Sequence, residues 1–477
     1  MLDINKDMTK KVAVIGLGYV GLPLACLCAK KGFHTIGLDT NKNVVDLLSQ
    51  GKSHIKDEEV ERLLQAATLS GNFIPTADKN DLSKASLYLI CVPTPINKAK
   101  EPDLTPLLGS IETIAPFLSR GDLVVVESTV FPGTCEEVVA PLIKELTGLS
   151  CQSDISLVHC PERVNPGDAF WTSENIPRVI GGMDADGTRR AADFYSAILD
   201  GPVIDVRDVR ESLRPKFSVN SLGELHSKNL PLGAVTIMRS IRDAEAVKAM
   251  ENTVRDVNIA FVNELAKISD VLGLDVVDII DGMSTKPFGK GPYYPGAGVG
   301  GHCIAVDPEW LKAASIKAGY MPELIQLSRH TNNSMPDYTV RLLQDGLNEV
   351  GLPIRGAKVA VLGVAYKRNV DDPRESPFYE IRDILIEKRA LISVYDSWFD
   401  SENTHQSLEE AIDGCVAVVL VKDHSDMVKE LLNKLNDSQS IKVFIDGRNA
   451  LTDIKLQNSI KYLGIGVGRK NSNFDGL

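Results

Sequence analysis

Short, unbroken apolar runs alternate along this chain with longer stretches in which apolar and polar residues mix at helical spacing. Lys11-Val12-Ala13-Val14-Ile15, His34-Thr35-Ile36-Gly37-Leu38, Leu87-Tyr88-Leu89-Ile90-Cys91-Val92 and Leu123-Val124-Val125-Val126-Glu127 read as strands buried on both faces, and Ser156-Leu157-Val158-His159 as a fifth. Strands separated by helical stretches predict a parallel sheet covered on both sides. Later, Ser240-Ile241-Arg242-Asp243 has the form of a capping box, and a helical pattern runs from it to Gly273, a C-terminal stop. At ~1.5 Å per residue that is a helix of ~48 Å, long enough to bridge two domains or pair across a dimer. Between about Gly201 and Gly233 the pattern lapses into mixed charge, Ser, Asn and Pro, which reads as a long irregular excursion.

The first strand runs into Gly16-Leu17-Gly18-Tyr19-Val20-Gly21 and an apolar helix, and the second ends in Asp39. Glycine loop, helix, strand and acid in that order predict a dinucleotide site. Asp39 favours NAD over NADP, because a carboxylate accepts from a ribose 2′-hydroxyl and repels a 2′-phosphate. Pro93, Thr94, Ser128 and Thr129 follow the ends of later strands, where open parallel sheets bind ligands. Lys358-Val359-Ala360-Val361-Leu362-Gly363-Val364-Ala365-Tyr366 echoes Lys11 to Tyr19, and Val394-Tyr395-Asp396 echoes Gly37-Leu38-Asp39. The expected fold is therefore α/β, with two Rossmann-like doubly wound parallel-sheet domains joined by a long central helix. In the second copy Ala365 replaces Gly18 and Arg368 replaces Gly21, so a pyrophosphate is not held the same way there. Lys367, Arg368, Arg374 and Arg448 supply positive charge instead, suited to a phosphorylated group or else simply solvated.

Candidate chemistry concentrates in Pro295-Gly296-Ala297-Gly298-Val299-Gly300-Gly301-His302-Cys303-Ile304-Ala305-Val306-Asp307-Pro308. Its glycines free the backbone to lie close against a ligand, and Asp307-Pro308 reads as a helix cap and first turn, whose positive end favours a thiolate at Cys303. Two other readings stay open: a phosphate-cradling loop with an inert thiol, and a His302/Cys303 half-site for a metal. The metal is disfavoured because no second His/Cys pair at ligand spacing occurs. Lys248 and Asn252 lie four apart on one face of the long helix, Lys248 in its least polar part. Glu162 sits beside Arg163, a spacing that on its own favours a plain surface ion pair over a site role.

Composition narrows the partners. A length of 477 residues implies two or three domains, and 43% hydrophobic with 24% charged residues is ordinary for a soluble globular protein. The net charge of −12 argues against nucleic acid or an anionic membrane as the main partner. No signal pattern or bilayer-length apolar run is present, and the eight cysteines read as reduced, packed thiols, so a cytoplasmic location is expected.

Together these motifs, with Cys91-Val92-Pro93-Thr94-Pro95, Cys160-Pro161-Glu162-Arg163, Glu251-Asn252-Thr253 and Asp372-Pro373-Arg374-Glu375-Ser376-Pro377, resemble the nucleotide-sugar 6-dehydrogenases, the UDP-glucose/GDP-mannose dehydrogenase family, over nearly the whole chain. Thr285-Lys286-Pro287-Phe288-Gly289 and Asn97 through Glu101-Pro102-Asp103-Leu104 look most like the branch acting on UDP-N-acetylglucosamine, with the UDP-N-acetylmannosamine branch close behind and UDP-glucose as a further alternative. The resemblance implies an NAD domain over residues 1–200, an irregular linker over 201–239, a central helical dimerisation domain carrying the cysteine loop over 240–335, and a UDP-sugar domain over 336–477. It implies NAD as cofactor, no metal, a homodimer through the central helix, and oxidation of C6 to a carboxylate through a Cys303 thioester. Lys248 and Asn252 would stabilise oxyanions, and Thr129, Asp307 and Glu162 would handle water and protons. It further places Gly16, Gly18, Tyr19, Val20, Gly21, Asp39, Pro93, Thr94, Ser128, Thr129 and Arg374 at the cofactor. Glu162, Arg163, Lys248, Asn252, Tyr294, Gly296, Gly298, Gly300, Lys367 and Arg448 fall at the substrate. Lys286 and Lys290 are candidates for a basic residue before the cysteine loop. Two other classes stay in view: a one-step NAD alcohol dehydrogenase, which needs no cysteine, and a non-catalytic NAD-sensing protein.

Overall fold

The computed structural model describes residues 11–95, 102–164, 170–213, 231–286, 292–301, 303–451, 456 and 459–467. The chain packs as two compact units, residues 1–251 with 309–319, and residues 252–308 with 320–477, so the stretch 240–335 contributes to both.

Nine strands form the sheet of the first unit: β1 (Lys11–Ile15), β2 (Thr35–Leu38), β3 (Phe73–Thr76), β4 (Ala85–Ile90), β5 (Leu123–Val126), β6 (Ser156–His159), β7 (Arg178–Gly182), β8 (Val203–Asp205) and β9 (Val235–Ile237). Their order is β3-β2-β1-β4-β5-β6-β7-β9-β8, all neighbours parallel except β6 and β7. Successive strand residues enter opposite cores. Val12, Val14, Leu87, Leu89 and Val125 join one cluster, and Ala13, Ile15, Tyr88, Ile90 and Val124 the other. Burial on both faces is why these runs are continuously apolar. The order reverses between β1 and β4, which puts a ligand crevice beyond their carboxyl ends.

Part of the stretch expected to be irregular is ordered. Val203–Asp205 and Val235–Ile237 extend the first sheet, and a helix covers Val206–Leu213. Strands of three residues are too short to show a period, so only their pairing reveals them.

In the second unit β10 (Lys358–Leu362), β11 (Leu391–Tyr395), β12 (Ala417–Leu420), β13 (Val443–Asp446) and β14 (Lys461–Gly464) form a wholly parallel sheet in the order β11-β10-β12-β13-β14. That order repeats β2-β1-β4-β5-β6, as the sequence echo predicts.

Three helices carry site residues: α1 (Gly21–Lys30), α2 (Ile241–Leu272) and α3 (Asp307–Lys317). Ser240 Oγ accepts from the Asp243 amide at 3.1 Å, the expected capping contact, and Gly273 ends α2 at φ +70°. Among the described residues no helix is long and apolar enough to cross a membrane.

Candidate active site

In the first unit the glycines between β1 and α1 divide the work of a dinucleotide turn. A Cβ on Gly21 would lie 1.8 Å from the Gly16 carbonyl oxygen, so only glycine lets the helix pack against the turn. A Cβ on Gly18 would meet nothing within 4 Å, which leaves room there for a pyrophosphate to approach the backbone. The first turn of α1 holds no acid, so its positive end is not cancelled by protein charge. Asp39 accepts from the amides of Leu17 and Asn41, each at 2.8 Å, which fixes the carboxylate and leaves lone pairs for a ribose hydroxyl. These residues fit an NAD adenosine half. Pro93 and Thr94 lie beyond the end of β4, with Thr129 half-buried beyond β5. Ser128 is buried, and its hydroxyl donates to the Val92 carbonyl at 2.7 Å, tying the two strand ends together. Tyr19 and Val20 pack against the adjoining core.

Lys248 faces inward: only 8% of it is exposed, and its Nζ lies 3.9 Å from Glu162 Oε2, also 8% exposed. The Glu162 carboxylate also accepts from the Val164 amide. Arg163 does not pair with its neighbour Glu162. It grips Glu251 with two guanidinium nitrogens and donates to the Pro177 carbonyl at 3.2 Å. The surface-pair reading of Glu162 and Arg163 is therefore corrected, because each carboxylate finds a cation distant in sequence. His159, fully buried at the end of β6, has neither ring nitrogen hydrogen-bonded. Burial first, and then the charge of Lys248, push its pKa down to about 3, so it is a neutral imidazole.

In the second unit Asn252 and Asp307 meet. The Asn252 amide donates to Asp307 Oδ2 at 2.6 Å, both side chains being buried. Cys303 lies one turn before α3, and its carbonyl accepts from the amides of Val306 and Asp307 at 3.1 and 2.8 Å. Seven of the eight cysteines are buried free thiols; Cys303 is half-buried. The loop glycines press against the protein itself rather than standing open. A Cβ on Gly296 would come 2.4 Å from Arg448 Nη1, and one on Gly301 would come 2.7 Å from the Tyr366 ring. Gly301 also has φ +86° and donates to the Arg374 carbonyl at 3.0 Å. Tyr366 and Arg374 both lie within electrostatic reach of Cys303. Burial, Asp372 and then Cys303 push the Tyr366 phenol up to about 12, and hydrogen bonding to Asp372 is the first cause raising the Arg374 pKa.

Arg374 holds Asp372 through Nε at 2.8 Å, Arg448 lies 3.5 Å from Asp423, and Arg368 lies 3.6 Å from the same carboxylate. The positive charge read from the sequence thus stays at the strand ends of this sheet, partly answered by local acids. Gly298 packs against Pro377, Gly300 against Tyr366, and Tyr294 donates to Asp281. Lys367 is half-buried. Asn97, Glu101, Pro287, Phe288, Gly289, Lys290 and His302 lie outside the described residues; Lys286 is exposed. Among the described residues no group of three or more His, Cys, Asp or Glu is placed to hold a metal.

Sequence reasoning passed over His159, Lys422 and Glu245. Glu245, buried on α2, accepts from the amides of Gly133 and Cys135 at 2.6 and 2.7 Å. The signal for it was the bare glycine turn Phe131-Pro132-Gly133-Thr134, which has no capping side chain of its own.

Comparison with known proteins gives matches along the chain. Residues 10–199, 242–334 and 360–453 match the NAD binding, central and UDP binding domains of the UDP-glucose/GDP-mannose dehydrogenase family. UDP-N-acetyl-D-mannosamine dehydrogenase of Pyrococcus horikoshii is 33% identical over 96% of this chain and 99% of its own. UDP-N-acetyl-D-glucosamine 6-dehydrogenase of Pseudomonas aeruginosa is 33% identical over 91% of this chain and 96% of its own. The solved Pyrococcus horikoshii enzyme aligns at TM-score 0.84 with 33% identity, covering 96% of this chain and 99% of that one. A UDP-glucose dehydrogenase structure from Pyrobaculum islandicum aligns at 0.76 with 25% identity, over 96% and 98% of the two chains.

Proposed function

The chain belongs to the UDP-glucose/GDP-mannose dehydrogenase family, NAD-dependent nucleotide-sugar oxidoreductases, and from that membership we propose that it oxidises C6 of a UDP-N-acetylhexosamine to the carboxylate. Per sugar the reaction consumes two NAD⁺ and one water, and releases two NADH and three protons. The observation that carries this reading is the junction of Asn252, Asp307 and the half-buried Cys303 at the start of α3.

NAD, when bound, takes up the hydride at its nicotinamide. The residues divide the remaining work. In the first oxidation Asp307, with Thr129 and Glu162 as further proton handlers, draws the hydroxyl proton away through water as hydride leaves C6. Lys248 and Asn252 stabilise the alkoxide, the lysine by charge and the amide by its second N–H. The Cys303 thiolate then adds to the aldehyde carbon, and loss of hydride from that hemithioacetal leaves a thioester. Water directed by Asp307 or Glu162 attacks the thioester carbonyl and expels the thiolate. Arg448 and Lys367 belong to the UDP moiety on this reading.

UDP-N-acetylglucosamine is the substrate favoured by the Glu101-Pro102-Asp103-Leu104 stretch. The mannosamine epimer is a second reading, favoured by the TM-score of 0.84 to the Pyrococcus horikoshii structure. A homodimer is supported by the apolar side chains Val254, Phe261 and Ile268 exposed along α2, joined by Leu324 and Leu327 of the helix Glu323–Asn333. NADH yield per sugar tests the function. Two NADH from one N-acetylhexosamine supports it, and one NADH with a released aldehyde sinks the thioester step.

A further inference from the structure

Lys422 follows β12, and only 6% of it is exposed. Among the described residues its Nζ has no hydrogen-bond or ion-pair partner. A largely buried ammonium without a partner is costly, and an anionic ligand placed against it would offset that cost.

Its position in the repeat says what ligand. Val421 donates to the β10 carbonyl of Leu362 at 2.8 Å, as Cys91 donates to the β1 carbonyl of Ile15 at 2.8 Å. Gly447 donates to Leu420 at 2.9 Å, as Glu127 donates to Ile90 at 2.9 Å. Lys422 and Arg448 therefore occupy the places that Val92 and Ser128 take in the first sheet, at the mouth of its switch-point crevice. A Cβ on Gly363 would come 2.5 Å from Lys422 Cβ, so glycine is what allows the lysine backbone to seat there. Arg448 offers a second unsatisfied donor, its buried Nε, which lies 3.5 Å from Asp423 without a hydrogen bond.

We propose that Lys422, with Arg448 beside it at the mouth of the second sheet's crevice, is a ligand for the diphosphate of the nucleotide substrate. This rests on the UDP-sugar reading above and deepens it. The groups around Lys422 make its contribution depend on pH. Arg448, from the loop after β13, opposes its charge, whereas Asp423 on its own segment and Asp396 at the end of β11 favour it. Both carboxylates are already engaged, Asp423 by Arg368 and Arg448, and Asp396 by neighbouring His424 at 3.1 Å. Burial then dominates and pushes the lysine down to about 7. A diphosphate diester keeps its two charges across neutral pH, so any pH dependence of binding comes from the protein.

Calorimetric titration with UDP-N-acetylglucosamine and UDP-N-acetylmannosamine between pH 6 and pH 8.5 tests this. Wild-type affinity should weaken as pH rises above 7, by up to about tenfold per unit. Lys422→Met should bind weakly at every pH, with no slope. Lys422→Arg, whose charge is permanent, should bind without a slope at the strength wild type has at pH 6. Met fills a buried site, so thermal unfolding of that variant should show a melting temperature at or above wild type. A folded Lys422→Met with wild-type affinity and slope overturns the proposal while leaving the nucleotide-sugar reading intact. Absence of binding by wild type at every pH, together with no NADH formation, takes down both.

Discussion

Asn252 donates to Asp307 at 2.6 Å across 55 residues of sequence, and both are buried. The hydrogen bond uses one N–H of the amide and holds the carboxylate in one orientation. Asn252→Ala should therefore lower kcat by roughly 10²- to 10³-fold, the usual effect of removing an oxyanion donor. It should also cost about 1–3 kcal/mol of stability, because the buried Asp307 carboxylate loses one of its partners. Combining it with Asp307→Ala should add much less than the two losses summed, measured by steady-state NADH formation. Full additivity would mean that the two residues act separately.

Replacement of Cys303 by Ser separates the two oxidations. A four-electron enzyme should form NADH in a burst of about one per subunit and then stall, since the serine oxygen is a far weaker nucleophile than a thiolate. Stopped-flow absorbance resolves the burst. Unchanged steady turnover would make Cys303 a structural thiol.

His159 imposes a pH dependence on folding. Its imidazole is held at a pKa of about 3 by burial and Lys248, against about 6.5 unfolded. Between those values the unfolded chain binds the extra proton, so stability rises with pH across that window and falls as the solution is acidified. From pH 6.5 to 4.5 the wild type should lose about 2–3 kcal/mol more than His159→Gln. Denaturant unfolding at the two pH values reads the difference, and equal losses would remove His159 from the acid response.

The exposed row Val254, Phe261 and Ile268 repeats every seven residues on α2, the spacing of a helix seam. Phe261→Arg should convert a dimer to a monomer in light scattering. A mass unchanged from wild type would move the interface elsewhere.

Most of the fold and the place of the dinucleotide turn were legible in the sequence because their signals are local. The Gly16 to Gly21 turn, Asp39 and the repeat at Lys358 each sit within one supersecondary unit, and Lys248 was placed inside by its apolar neighbours Ala244, Val247 and Ala249. What escaped was partnership across distance. Glu245 serves Gly133 from 112 residues away, and Arg178 meets Glu127 across 51 residues in a buried pair that Tyr195 completes. Spacing in one element carries no trace of such contacts. The loop glycines show the same limit from the other side: their freedom was plain, but that it also lets Tyr366 and Arg448 pack close needed the structure.

Asp396 differs from its counterpart Asp39 in being saturated. It accepts from the amides of Val364, Ala365, Trp398 and Phe399 and contacts His424 Nε2 at 3.1 Å, whereas Asp39 accepts from two amides. The second sheet thus keeps the dinucleotide scaffold, but its counterpart of the ribose-binding acid is already taken up by backbone amides and an imidazole. Equilibrium dialysis should therefore find one NAD per chain, held at Asp39 and not at Asp396.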